Sequence, residues 1–333
     1  MNDESPLLTV DNLSVGFVTK GGIVQAATEI SFEIRRGEVL AVVGESGSGK
    51  SVTALALMRL HPGNAITTGD VDFDGRDLLN MSDAEMRSVR GSDIAMIFQD
   101  PMTAMNPVFT VGSQIVETIR VHDSSVSKQD AWSKTVDLLQ LVGVPEPKRR
   151  ASQYPHEYSG GMRQRAMIAM AIANDPKLLI ADEPTTALDV TVQAQVMEVL
   201  HEVQAQTGSA MMLITHDLGL VAGSADRVQV MYASRLMETG TINQIFYESQ
   251  NPYTMALLES IPDVDGLKDR LEPIPGNPPS LLNPPSGCAF RPRCNYAQPI
   301  CAVDKPVLVS VGVEHESRCL RAHELGADTE ALV

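Results

Sequence analysis

The sequence predicts an α/β fold built around a phosphate-binding loop, and three observations predict it. The apolar run Val39-Leu40-Ala41-Val42-Val43 leads into Gly44-Glu45-Ser46-Gly47-Ser48-Gly49-Lys50-Ser51, and the helix-prone run Val52 to Leu60 follows. A second apolar run, Leu178-Leu179-Ile180-Ala181, ends in the two carboxylates Asp182-Glu183. Strand-like alternation dominates residues 6–43, whereas 103–173 carries helical spacing. Buried parallel strands read as short continuous apolar runs, and their sites lie off the carboxyl ends of the strands.

Taken in order, residues 6–43 form an antiparallel region broken at Gly16, Gly21 and Gly22, leading to the phosphate-loop strand. The loop itself has the Gly-x-x-x-x-Gly-Lys-Ser pattern in its required strand–loop–helix context. Gly44, Gly47 and Gly49 let the backbone turn N–H groups onto an anion, with Ser46 and Ser48 between them. Val52 continues into a helix whose N-terminus adds partial positive charge. Lys50 reaches the β/γ-phosphates of a nucleotide and the Ser51 hydroxyl ligates Mg²⁺.

Residues 64–79 add short strands around Gly69 and Gly75, and Ile94 to Phe98 is a buried strand ending at Gln99. A helical insertion spans about 103–173, with helices expected over Val111 to Val121, Asp130 to Leu141 and Arg163 to Ala173. After it comes the strand ending at Asp182, placed for the Mg²⁺ shell, and Glu183, placed to polarise the attacking water. Val192, Val196, Val199, Leu200 and Val203 then form one apolar helix stripe, and Met211 to Thr215 is a strand ending at His216. From about 262 the chain reads as a linker, because Pro262, Pro273, Pro275, Pro278, Pro279, Pro284 and Pro285 leave little room for helix or sheet. The residues from about 322 read as a disordered end.

Composition narrows the function. A chain of 333 residues accommodates a large core, and its 43% hydrophobic and 20% charged content fits a soluble protein. No apolar run approaches the ~18 residues of a membrane span. The acidic start Met1-Asn2-Asp3-Glu4-Ser5 lacks a signal peptide's basic and apolar regions, which predicts a cytoplasmic chain. A net charge of −16 disfavours binding along nucleic acid or an anionic lipid surface.

Ser159-Gly160-Gly161-Met162-Arg163-Gln164 stands just before a helix, as a Ser cap with glycines that permit close approach. With the two nucleotide motifs, this stretch resembles the signature sequence of ABC-transporter ATPases. The resemblance runs over about residues 6–260, with the motifs in order. It implies an ABC-type fold: an antiparallel β subdomain, a RecA-like core and a helical subdomain, within an ATPase domain of residues 1–261. It also implies that Phe17 stacks on adenine, that Gln99 senses Mg²⁺ and water, that Ala187-Leu188-Asp189 is the D-loop, and that His216 contacts the γ-phosphate. Phe98-Gln99-Asp100-Pro101-Met102-Thr103 and the run Asp182 to Gln193 are similar to the oligopeptide/dipeptide importer branch, to its D-type rather than its F-type ATPase. Ala104-Met105 and Ser234 depart mildly from that pattern.

The resemblance implies two ATPase subunits sandwiching two nucleotides, the phosphate loop of one facing Ser159-Gly160-Gly161 of the other. The second subunit is expected to be an F-type paralogue. Two membrane permeases and an extracytoplasmic peptide-binding protein complete the machine, with this chain peripheral on the cytoplasmic face of the membrane. Relatives carry dipeptides, oligopeptides, nickel complexes or oligosaccharides. A soluble ABC-type ATPase acting on nucleic acid or ribosomes is the alternative from another class. A redox or iron-sensing protein with an ATPase attached is a further one.

All four cysteines fall in the region 262–333, at Cys288, Cys294, Cys301 and Cys319. The spacing lacks both the Cys-x2–4-Cys knuckle of zinc sites and the tight ferredoxin run. Disulfides are not expected in a reducing cytosol. Arg291, Arg293, Arg318 and Arg321 lie near enough in sequence to offset thiolate charge. The tail resembles the C-terminal region of peptide-importer ATPases, some of which hold a [4Fe–4S] cluster there. Zinc and free thiols remain as alternatives.

Overall fold

The computed structural model describes residues 5–186, 188–260 and 274–328. The expected linker prolines Pro262 and Pro273, and Ala187 of the D-loop run, lie outside the described residues. The chain divides into two compact units. One takes Asn80–Ile214 with Ile34–Glu38 and the residues up to Leu7; the other takes Leu8–Glu33, Val39–Leu79 and the residues from Thr215 on.

In the first unit, strands Ile94–Ile97, Leu178–Asp182 and Ala210–Thr215 pair in parallel, with Ile97 opposite Ala181 and Asp182 opposite Ile214. Each is buried along its length, which is why their sequences are continuous apolar runs rather than alternating ones. Helices Val111–His122, Lys128–Leu141, Gly160–Ala171 and Val190–Thr207 each begin at a side-chain cap: Thr110, Ser127, Ser159 and Asp189. Each cap satisfies a backbone N–H that the helix leaves open, worth about 1 kcal/mol. The stripe on the last of these helices is buried at Val196, Val199, Leu200 and Val203, while Val192 is half-buried.

In the second unit, an antiparallel sheet has the order Gly22–Ile34, Leu8–Thr19, Ala65–Phe73, Arg76–Asp77. A separate run starts at the buried strand Val39–Val43, which pairs in parallel with Arg227–Tyr232. That strand continues into a hairpin, Arg227–Tyr232 against Arg235–Thr241.

The cysteine-bearing segment departs from the loop reading beyond its prolines. Val309–Gly312 and His315–Ser317 form a hairpin that extends the sheet through Arg235–Thr241. A buried contact fixes it, with His315 Nε2 3.0 Å from Glu238 Oε1. The helix Ala322–Asp328 follows where a disordered end is expected, because Ala322 and Leu325 bury their side chains. Among the described residues, no helix is long and apolar enough to cross a membrane.

Candidate functional site

The phosphate loop is shaped by backbone that only glycine tolerates. Gly44, Gly47 and Gly49 have φ of +153°, +77° and +107°. A Cβ at Gly44 would strike the Met231 carbonyl oxygen, and one at Gly49 the Ala26 carbonyl oxygen. The loop is therefore a cradle that a side chain would fill. Lys50 is 4% exposed, and its Nζ donates to the Gly44 and Glu45 carbonyls at 2.7 and 3.1 Å. The buried Ser48 hydroxyl has no hydrogen-bond partner among the described residues, as expected of a group that waits for a ligand oxygen. Helix Lys50–Leu57, on which Ser51 and Val52 sit, has no side-chain cap, so Gly49 leaves its first N–H groups to an anion.

Phe17 is half-buried on its strand and meets His61 edge to face, ring centroids 5.4 Å apart. Burial holds the His61 imidazole below its usual pKa, and its Nε2 is buried without a partner among the described residues. The sequence reading missed His61, whose only signal is its place at the end of the run that follows the loop helix. His216 is exposed, one residue past the strand Ala210–Thr215.

In the first unit, Asp182 ends its strand 5% exposed, and Glu183 follows in a left-handed conformation, φ +47°. That conformation costs a non-glycine residue of order 1–3 kcal/mol and is characteristic of functional sites. The Gln99 amide donates to Glu183 Oε2 at 3.0 Å and the Thr186 hydroxyl donates to the same oxygen at 2.8 Å. The structure thus joins Gln99 to Glu183 and adds Thr186, which the sequence reading passed over within Pro184-Thr185-Thr186.

Ser159, Gly160 and Gly161 line a shallow concave surface together with Asp189 and Arg165. Ser159 Oγ accepts from the Met162 N–H at 3.3 Å, and Asp189 Oδ1 accepts from the Val192 N–H at 3.0 Å. A Cβ on Gly161 would come within 2.8 Å of Val192 Cγ1, so this glycine lets two helix starts meet.

The four cysteines line one small cavity in the second unit, with Tyr296 and Arg321. Cys288 N–H donates to the Cys301 carbonyl at 2.9 Å. Backbone N–H groups point at three of the sulfurs: Phe290 and Arg291 at Cys288, Tyr296 at Cys294, and Arg321 at Cys319. Burial raises the thiols of Cys288 and Cys294 and pushes Cys319 up to about 11. Among the described residues, no group of three or more His, Cys, Asp or Glu is arranged to hold a single metal ion. Arg291, Arg318 and Arg321 border the cavity, whereas Arg293 turns away and pairs with Glu45 of the phosphate loop at 2.6 Å.

The ABC transporter family model matches residues 27–186, and the model for the oligopeptide/dipeptide transporter C-terminal region matches 237–301. The chain is 51% identical to the oligopeptide transport ATP-binding protein OppD of Haemophilus influenzae, over 90% of this chain and 92% of that protein. It is 52% identical to the dipeptide transport ATP-binding protein DppD of Bacillus subtilis, over 89% and 88% of the two chains. The ATP-binding cassette MJ0796, solved as a post-hydrolysis dimer with ADP and Pi, superposes with a TM-score of 0.64 at 24% identity, over 71% of this chain and 98% of that one. The cassette cbiO1 of Clostridium perfringens superposes with a TM-score of 0.61 at 26% identity, over 74% and 92%. The fold is that of an ABC ATPase cassette, and the chain belongs to the ABC transporter ATP-binding proteins of the oligopeptide/dipeptide branch.

Proposed function

We propose that this chain is the ATP-hydrolysing subunit that powers import of di- or oligopeptides through partner membrane permeases. The observation that carries the reading is the likeness to peptide-transport ATP-binding proteins along 90% of the chain. The phosphate cradle and the Gln99–Glu183–Thr186 cluster supply the chemistry for it.

The cradle at 44–51 and the Ser48 hydroxyl take the nucleotide's phosphates, Lys50 neutralises them, and Phe17 stacks on the base. Ser51 and Asp182 are the oxygen donors for Mg²⁺, which neutralises phosphate charge when bound. Glu183 accepts the proton of the attacking water, and the Gln99 and Thr186 donors fix its carboxylate for that task. His216 contacts the γ-phosphate. Ser159, Gly160, Gly161 and Asp189 form the surface offered to a nucleotide on a second ATPase subunit, an F-type paralogue. ATP binding closes the pair and hydrolysis reopens it. The chain is peripheral on the cytoplasmic face, with two permeases, and an extracytoplasmic binding protein delivers the peptide.

The cysteine segment is read as the seat of a [4Fe–4S] cluster on Cys288, Cys294, Cys301 and Cys319. Four cysteines line one cavity, which offers four thiols to such a group. N–H groups aimed at the sulfurs and the bordering arginines suit thiolate charge. Zinc is the lesser alternative.

Co-expression with the two permeases and the second ATPase tests the reading. The chain is expected to co-purify with them from membranes, with ATP hydrolysis that rises when peptide-loaded binding protein is added. A chain that leaves the permeases behind, with hydrolysis indifferent to peptide, contradicts it.

A further inference from the structure

The phosphate loop carries a carboxylate that does not suit it. Glu45 is the second residue of a cradle built for a polyanion, and its own carbonyl accepts from Lys50 at 3.1 Å. An unneutralised carboxylate there opposes phosphate binding. The compensating charge comes from the far end of the chain. Arg293 Nη1 donates to Glu45 Oε2 at 2.6 Å and Nη2 to Oε1 at 2.9 Å, a two-pronged pair.

The guanidinium is held from every side. Its Nε donates to the Pro275 carbonyl at 2.8 Å, Nη2 to the Ile274 carbonyl at 3.3 Å, and Nη1 to the Tyr232 hydroxyl at 3.3 Å. Its carbon lies 5.7 Å from the Tyr232 ring centroid and 6.0 Å from that of Phe290. The side chain is only 4% exposed, against 26% for that of Glu45. The backbone of Glu45 is tied as well, its N–H donating to the Tyr253 hydroxyl at 3.1 Å. Tyr232, Tyr253 and Phe290 pack on one another, with centroids 4.5–5.4 Å apart.

We propose that Arg293 is a positioning residue for ATP binding: it neutralises Glu45, so the cysteine-bearing segment completes the nucleotide site of its own chain. The inference rests on the reading of residues 44–51 as the ATP phosphate site. Arg293 precedes Cys294 directly, so the order of the cysteine segment bears on ATP affinity.

The test is Mg-ATP affinity of the full chain, measured by equilibrium titration with a fluorescent ATP analogue. Arg293→Met is expected to weaken binding about tenfold, within the usual range for coupling between sites. Adding Glu45→Gln to Arg293→Met is expected to recover most of the loss, because the uncompensated charge is gone. A purely structural role for Arg293 predicts no such rescue, and failure of rescue overturns the inference. Should Arg293→Met not fold, Glu45→Gln alone decides. It leaves Arg293 as excess positive charge beside the cradle, so binding tightens and its salt dependence steepens; unchanged or weaker binding overturns the inference. Lys50→Ala marks the loop itself. Binding lost with Lys50→Ala but kept with Arg293→Met sinks the inference and leaves the nucleotide site standing. Binding kept with Lys50→Ala removes both.

Discussion

Replacing Glu183, the proposed base, by glutamine is expected to remove its proton-accepting carboxylate and little else. Glu183 Oε2 accepts from Gln99 at 3.0 Å and from Thr186 at 2.8 Å, so that position demands an acceptor. In the variant the amide oxygen takes it, because an NH₂ group there would face two donors. The NH₂ is then left where a water would give up its proton, and it donates where the carboxylate accepted. General-base catalysis is worth about 10²–10⁴ in rate, or about 2.7–5.4 kcal/mol of barrier. Hydrolysis in the assembled transporter is therefore expected to fall by that factor while Mg-ATP still binds. Single-turnover hydrolysis, with binding followed in parallel, reads both. A variant within about tenfold of the natural rate would fall below the range for a general base and refute the assignment. Lost ATP binding would refute the placement of the amide oxygen between Gln99 and Thr186.

Ser159→Arg places a bulky cation on the concave surface shared with Asp189; it is expected to abolish ATP-driven pairing of subunits, measured by light scattering, while the single chain still binds nucleotide. Protein purified without oxygen is expected to be brown and to hold about four irons per chain if all four cysteines ligate one cubane. Cys294→Ser should bleach it; one zinc and no iron would favour the zinc reading. For the metal-free chain, burial puts the Cys319 thiol at about 11, above the free thiol's usual ~8.5. The fold thus favours the protonated thiol, so its contribution to stability is full below the ordinary value and is lost as pH rises toward about 11. Denaturant melts of the metal-free chain at rising alkaline pH check this, and a stability that rises over that interval contradicts it.

What was legible in the sequence is what local physics dictates. The cradle announces itself because positive φ at Gly44, Gly47 and Gly49 demands glycine. The parallel strands read directly because burial on both faces requires continuous apolar runs. The helix start after Ser159 was legible from its cap, whereas the caps at Thr110, Ser127 and Asp189 emerge only in the structure. The residues that escaped are joined only by tertiary contact. Arg293 and Glu45 lie 248 positions apart, and next to Cys294 an arginine reads as counter-charge for thiolates. Thr186 gave no sign of its hydrogen bond because the left-handed turn at Glu183 creates it. The tail hairpin was hidden by the prolines before it, although Val309-Ser310-Val311 alternates as an edge strand does.

ATP turnover by this chain is proposed to drive peptides across a membrane. Uptake of a labelled di- or oligopeptide into proteoliposomes, with the full complex reconstituted and binding protein supplied, measures it most directly. Uptake is expected only with ATP on the side that bears this chain, and it is expected to stop when Glu183→Gln replaces the natural subunit. Uptake that proceeds without ATP, or at the natural rate with Glu183→Gln, would contradict the account.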